Sequence, residues 1–271
     1  MTGAGGQLGR ALGPALADHD VVALGHAALD ITDLAAVRAA VAAHRPSAIV
    51  NAAAYNLVDR AESEPAAAHR ANAEGPRNLA VAAAERGAAI LHVSTDYVFD
   101  GEAGRAYDER DAPNPLSAYG RSKLAGEVAV RESNPRHFVV RTAWVYASEG
   151  RNFPNTMRRL AEKGPVRVVA DQTGSPTYAP HLADALARLL ARDAYGTYHL
   201  AGSGAVTWHA FTVALFAALR LDCEVRQATA AEFPRPARRP RFAPLVTVRD
   251  PPILLPPWEE GVLAYSRAVA A

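Results

Sequence analysis

Between residues 20 and 145 the chain repeats one pattern, a short apolar run and then a helix-periodic stretch, and few folds accommodate it. The apolar runs are Asp20-Val21-Val22-Ala23-Leu24, Ala48-Ile49-Val50-Asn51, Ala89-Ile90-Leu91-His92-Val93 and Phe138-Val139-Val140-Arg141-Thr142. Helical sequence separates them at 33–44, 64–86 and 117–132. This alternation predicts an α/β fold built on a doubly wound parallel sheet. Beyond about residue 146 the rhythm changes. Helices are expected at 153–163, 181–192, 207–219 and from Trp258, with short strands at 166–169 and 197–200 and Pro-rich connections across 234–257. Residues 1–146 therefore read as a dinucleotide-binding domain, and 147–271 as a smaller, partly interleaved substrate-binding lobe.

The chain opens on Thr2-Gly3-Ala4-Gly5-Gly6-Gln7-Leu8-Gly9, with Gly3, Gly6 and Gly9 three residues apart. A helix starting at this turn would aim backbone amides at a pyrophosphate, the Rossmann arrangement for NAD(P), with Gly3, Gly6, Gln7 and Leu8 at the cofactor. Such a turn should follow a strand, and Met1 stands at that strand's last apolar position. The sequence is thus read as lacking its first strand, with unpaired backbone groups expected in the sheet. Asp30-Ile31 is placed against the adenine, although Asp30 equally suits a turn before the next helix. Asn51-Ala52-Ala53 ends its strand in small residues, which suit either close ligand approach or tight packing. Gly25-His26, after the second run, carries neither the acid that favours a free ribose hydroxyl nor the Arg that favours a phosphate, so NADH and NADPH both stay open.

The chemistry is carried by Ser94-Thr95-Asp96 and Tyr119-Gly120-Arg121-Ser122-Lys123. Tyr119 and Lys123 are one helical turn apart on one face. A fixed ammonium there is expected to lower the phenol from its usual value of about 10. Thr95, at a strand end, would hold a carbonyl oxygen against the phenol. Lys163 is the only other lysine among 29 basic residues, and Arg does not replace an ammonium in this role. Proton donor, tuner and orienter together are the parts needed to reduce a ketone.

At 271 residues and 49% hydrophobic content the chain is long enough for a sizeable core. A net charge of +1 and the short Arg238-Arg239-Pro240-Arg241 patch do not make a nucleic-acid surface. The single cysteine, Cys223, excludes an internal disulfide. No apolar run reaches membrane-spanning length and no metal-ligand spacing stands out, so the expectation is a cytoplasmic protein with no membrane, nucleic-acid or metal partner.

The segments TGAGGQLGRAL (2–12), LDITD (29–33), IVNAAAY (49–55), STDYVFDG (94–101), PLSAYGRSKLAGE (115–127), RTAWVYA (141–147) and DQTGSPT (171–177) resemble the extended short-chain dehydrogenase/reductases, and within them the dTDP-4-dehydrorhamnose reductases. The resemblance implies an NAD(P)H-dependent oxidoreductase that reduces a nucleotide-sugar ketone at C4, in dTDP-rhamnose biosynthesis, and it is compatible with a homodimer. It implies Tyr119 as proton donor, Lys123 on the nicotinamide ribose, Thr95 on the carbonyl oxygen, and Asp96 and Trp144 on the sugar. Arg239 would serve the diphosphate. The chain departs from the family at Phe242 and Ala243, where an Asn-Ser pair is usual. Two competing readings are a reductase or epimerase of another NDP-4-ketosugar, and a non-catalytic binding subunit like the regulatory subunit of methionine adenosyltransferase.

Overall fold

A strand whose odd and even side chains are both apolar needs cover on both faces. The computed structural model, which describes residues 1–270, meets that need. Its elements are α1 (Gln7–Ala15), α2 (Leu34–His44), β1 (Ala48–Asn51), α3 (Pro65–His69), α4 (Gly75–Ala84), β2 (Ala89–Thr95), α5 (Ala118–Ser133), β3 (His137–Thr142), β4 (Val145–Tyr146) and α6 (Phe153–Ala161). They continue with β5 (Val166–Val169), β6 (Thr173–Gly174), β7 (Thr177–Tyr178), α7 (Ala179–Leu190), β8 (Gly196–His199), β9 (Val206–Thr207), α8 (Trp208–Leu219), β10 (Val225–Ala228) and α9 (Trp258–Ala270).

The main sheet is parallel in the order β1-β2-β3-β8. Along each strand alternate residues enter different cores. Val50, Leu91, Phe138 and Val140 pack with Leu8, Leu12, Leu182 and Leu186 of α1 and α7. Ile49, Ile90 and Val139 pack with Val37, Leu79 and Val130 of α2, α4 and α5. The doubly wound arrangement follows from this two-sided apolar pattern. A third core, with Tyr146, Val166, Phe211, Leu215 and Tyr265, lies under α8 and α9. Because α7 and β8 return to the main sheet, the two halves of the sequence interleave.

Several expectations need correcting. Residues 20–23 form no strand, and only Leu24 pairs, through a single parallel bridge to Thr2. The main-chain bonds made by 20–24 are too few for a ladder, running only to Met1 and Ala4. Thr2 sits between Leu24 and Asn51, donating its N–H to Val50 O at 2.9 Å and accepting from Ala52 N at 3.2 Å. Leu24 N reaches Met1 O at 2.8 Å, and the terminal amine reaches Val22 O at 2.8 Å. Beyond them a cavity of about 290 Å³ is lined by Val21, Val22, Ile49 and Val50.

The continuous helix expected over 64–86 is broken at Arg70–Glu74 into a π-helical turn between α3 and α4. The Asp33 carboxylate caps α2 by accepting from Ala35 N and Ala36 N. Ser117 caps α5 by accepting from Gly120 N at 3.1 Å, so the helix bearing Tyr119 and Lys123 has a defined start.

Candidate active site

The site is assembled where β2 ends. Thr95 is the last residue of β2, level with Thr142 of β3, and Tyr119 and Lys123 lie on the first turns of α5. All three are buried. The Thr95 hydroxyl donates to Asp96 Oδ1 at 2.9 Å and accepts from Tyr97 N at 3.2 Å. The Lys123 ammonium donates to Val93 O at 2.7 Å. The Tyr97 ring meets Tyr119 edge-on at 5.5 Å.

The electrostatics differ from the expectation for an isolated Tyr/Lys pair. Burial, and then the Asp96 carboxylate, raise the Tyr119 phenol well above its ordinary value, while the Thr95 hydroxyl opposes them. Burial lowers Lys123 to about 8 against the pull of Glu127. The phenol is raised and not lowered, because its own desolvation and the Asp96 carboxylate set its value. Tyr119 is held protonated, which is the state a proton donor needs. Burial also pushes Asp96 up to about 7, against the bonds from Thr95 and the nearby backbone.

Behind these groups lies a polar frame that pattern reading missed. Glu127, one turn after Lys123, accepts from Ser94 Oγ at 2.6 Å and from Arg141 Nε and Nη2 at 3.0 and 2.8 Å. Burial works to raise its carboxyl, but Arg141, Ser94 and Arg131 outweigh it and hold it below the usual range. One carboxylate thus ties β2, β3 and α5 together beside Thr95. Asn72, in the π-helical turn, accepts from Tyr55 N at 2.8 Å and donates to Tyr55 O at 3.1 Å and Ser122 Oγ at 3.0 Å. An interrupted helix often marks a functional position. The only advance signal was the Asn itself, set in an otherwise Ala-rich helix.

The residues expected at the cofactor form a cradle. Gly3 has φ of +74°, and a Cβ there would lie 2.5 Å from both Ala52 C and Ala53 N. Glycine is thus required on two counts. The first-turn amides of α1, from Gln7 and Leu8, have no acceptor within the helix and suit a pyrophosphate, while the Gly6 amide closes the turn on Gly3 O at 3.0 Å. The Asn51 side chain acts indirectly, accepting from Thr2 Oγ1 at 2.8 Å and Ala53 N at 3.1 Å. Asp30 accepts from Thr32 N and Oγ1, as a turn residue does, and Ile31 is buried with its carbonyl accepting from Asn78. The residues present fit a dinucleotide.

On the other side of Tyr97 a cavity of about 820 Å³ is walled by Phe153, Trp208, Gln172, Arg235, Arg238, Arg239 and Arg241. Arg239 donates to Asp59 Oδ2 at 2.9 Å and lies beside Tyr97. Trp144 is only half-buried and takes a left-handed conformation, φ 47°. Among the loop residues, Gln172 faces the cavity, whereas the Thr177 hydroxyl is committed to Ser175 O and Gly202 N. Among the described residues no cluster of His, Cys, Asp or Glu could hold a metal, and no helix is long and apolar enough to cross a membrane.

Comparison with known proteins identifies the family. The model of the RmlD substrate binding domain covers residues 1–270. A dTDP-4-dehydrorhamnose reductase of Streptomyces griseus is 49% identical over 255 residues, spanning 90% of this chain and 84% of the relative. A probable dTDP-4,6-dihydroxy-2-methyloxan-3-one 4-ketoreductase of Streptomyces antibioticus is 46% identical over 90% of this chain and 85% of its own. The crystal structure of dTDP-4-dehydrorhamnose reductase from Bacillus anthracis in complex with NADP superposes with TM-score 0.96 at 38% identity, covering 98% of this chain and 97% of that one. With the sheet, the glycine cradle and the Thr/Tyr/Lys corner in place, the chain belongs to the RmlD family, the dTDP-4-dehydrorhamnose reductases of the extended short-chain dehydrogenase/reductases.

Proposed function

We propose that this protein reduces the C4 ketone of dTDP-4-dehydro-β-L-rhamnose to dTDP-β-L-rhamnose, with residues 1–146 holding the cofactor and 147–271 closing on the nucleotide sugar. The observation that carries the reading is the buried Thr95–Tyr119–Lys123 corner on one side of Tyr97, with an arginine-walled cavity on the other. Bound NADPH or NADH supplies the hydride.

The protein supplies the rest. Thr95 and Tyr119 converge on one carbonyl oxygen. Thr95 turns its hydroxyl from Asp96 to that oxygen, and Tyr119 transfers its proton to it as the C4–O double bond becomes single. Ketone, hydride and proton then sum to the alcohol. The Tyr119 phenolate left behind is stabilised by the Lys123 ammonium, which also holds the nicotinamide ribose. Asp96 accepts from a sugar hydroxyl, Trp144 packs on the sugar face, and Arg239 exchanges part of its pairing with Asp59 for the diphosphate. The reading places the enzyme in the cytoplasm, as a supplier of rhamnose for cell-wall polysaccharide.

The test is NAD(P)H oxidation with the dTDP ketosugar. Wild type should turn over and Y119F should lose about 10²–10⁴-fold in kcat. A folded Y119F with unchanged turnover would overturn the role of the phenol. The 46% identity to the Streptomyces antibioticus ketoreductase favours a second reading, reduction of another dTDP-4-ketosugar. A ketosugar panel separates the two. If the dTDP-rhamnose precursor is inert and another sugar reacts, the second holds.

A further inference from the structure

The motif 171–177 and the step Val206-Thr207-Trp208 meet in an antiparallel pair only two residues long, Thr173 opposite Thr207 and Gly174 opposite Val206. Such a short ladder contributes little stability of its own. Its geometric effect is larger, because it sets Gly174 and Trp208 against a single side chain, Trp144. The indoles of Trp144 and Trp208 stack with centroids 3.4 Å apart and 5° between their planes. A Cβ on Gly174 would lie 2.4 Å from Trp144 Cε2 and 2.7 Å from its Nε1. No side chain other than glycine's leaves room for the indole there.

The backbone under that indole is strained. Trp144 has φ of 47°, a region that costs a bulky residue about 1–3 kcal/mol. Its carbonyl accepts from Thr177 N at 3.2 Å, a contact that leaves the indole's direction free. What holds the side chain is the packing. Trp144 lies two residues beyond Thr142, the strand position level with Thr95, and Trp208 and its neighbour Phe153, 4.3 Å away between ring centroids, wall the large cavity. The strain sits behind the cavity wall formed by Trp208 and Phe153.

We propose that Trp208 and Gly174 form a clamp that fixes the Trp144 indole at the sugar end of the cavity, making Trp208 a positioning residue for recognition of the ketosugar. This rests on Trp144 as a substrate-contacting residue. An ordinary core stack needs no left-handed backbone, and both tryptophans are only half-buried. The clamp keeps the indole in place before the ligand arrives, so the ordering cost falls on folding and not on binding.

The experiment compares W208L, W208F, G174A and W144L in the full chain. Each is read by the Michaelis constants for the dTDP ketosugar and for NADPH, and by the exciton-coupled circular dichroism of the stacked indoles. W208L and G174A should lose the coupled signal and raise the ketosugar KM by about tenfold, equivalent to 1.4 kcal/mol, with the NADPH KM unchanged. W208F, which keeps a ring over Trp144, should lose the coupling yet stay within about threefold of wild type in KM. If W208L fails to fold, G174A decides. An unchanged ketosugar KM in W208L and G174A, with W144L impaired, overturns the clamp alone. An unchanged KM in W144L overturns the substrate reading of Trp144 and the clamp with it. Equal rises in both Michaelis constants mean a general packing loss and also overturn the clamp.

Discussion

The α5 corner and the glycine turn face each other across the ends of the same sheet, yet they are built in different ways. At α5 the expected reacting groups sit within a frame of buried polar contacts: Glu127 with Ser94 and Arg141, Asn72 with Ser122 and Tyr55, Val93 O with Lys123, and Asp96 with Thr95. At the glycine turn, Met1–Ala4 are held by main-chain bonds to Val22, Leu24, Val50 and Ala52, with a cavity alongside. The corner is held redundantly by side chains and the turn by a short stretch of backbone. Proton transfer needs placement to a fraction of an ångström, whereas pyrophosphate binding by amides tolerates a turn held mainly by its own φ/ψ values. Damage at the corner should therefore appear in stability and turnover, and damage at the turn in stability and cofactor affinity.

The largest effect is expected at Glu127. Its side chain is fully buried and that of Arg141 nearly so, and removing one partner of such a pair costs about 3–5 kcal/mol. Urea unfolding of E127A should show that loss, whereas E85A, which breaks the exposed pair with Arg38, should leave the midpoint nearly unchanged. Equal costs would mean that the corner is no better framed than the surface. At the turn, G3A must relieve both the +74° φ and the 2.5 Å approach to Ala52 and Ala53. The expected cost is about 3 kcal/mol, together with a raised NADPH Kd by titration. A mutant with wild-type Kd would show that the cradle is not where the pyrophosphate sits.

How much of this was readable beforehand depended on the range of the interaction. The strands of the main sheet and helix α5 announce themselves in local apolar runs and in the Tyr119/Lys123 spacing. Ser117 and Asp33 mark helix starts by local capping, and Gly3 reveals its turn because only glycine suits it. Asn72 was hidden because its role depends on Tyr55 and Ser122, which lie 17 and 50 residues away. Arg239 was legible as a cation, but its partner Asp59 lies 180 residues earlier, and no local pattern encodes that pairing. Trp208 opens the almost wholly apolar run WHAFTVALFAAL and reads as core. Its stacking depends on a two-residue strand pair too short to leave any periodicity.

A pH measurement sharpens the comparison further, because the corner buries a carboxylate at an electrostatic cost. Burial raises Asp96 from its ordinary 3.8 to about 7. Between those values the folded protein holds a proton that the unfolded chain has released, so the penalty is absent below about pH 4. It grows as pH rises and is complete once the folded group ionises near 7. D96N removes the charge. Its Tm should match wild type near pH 4 and exceed it by roughly 5 °C near pH 8, while the ketosugar KM rises. A difference independent of pH would mean that Asp96 is not desolvated as the geometry implies.

The smallest effect is also the most direct test of the turn. Val21, Val22, Ile49 and Val50 line the cavity beside Met1, and burial lowers the pKa of the terminal amine that bonds Val22 O. Appending three β-branched residues ahead of Met1 replaces that amine with an amide and continues the pairing already made by Thr2. Filling the slot with apolar side chains should add about 1–2 kcal/mol after the ordering cost, seen as a higher urea midpoint. Because the added strand would brace Gly3 and leave α5 untouched, NADPH Kd should fall while kcat at saturating cofactor stays constant. A change in kcat instead would show that the two regions are mechanically coupled through β1 and β2, and that the corner is less self-sufficient than its hydrogen bonds imply.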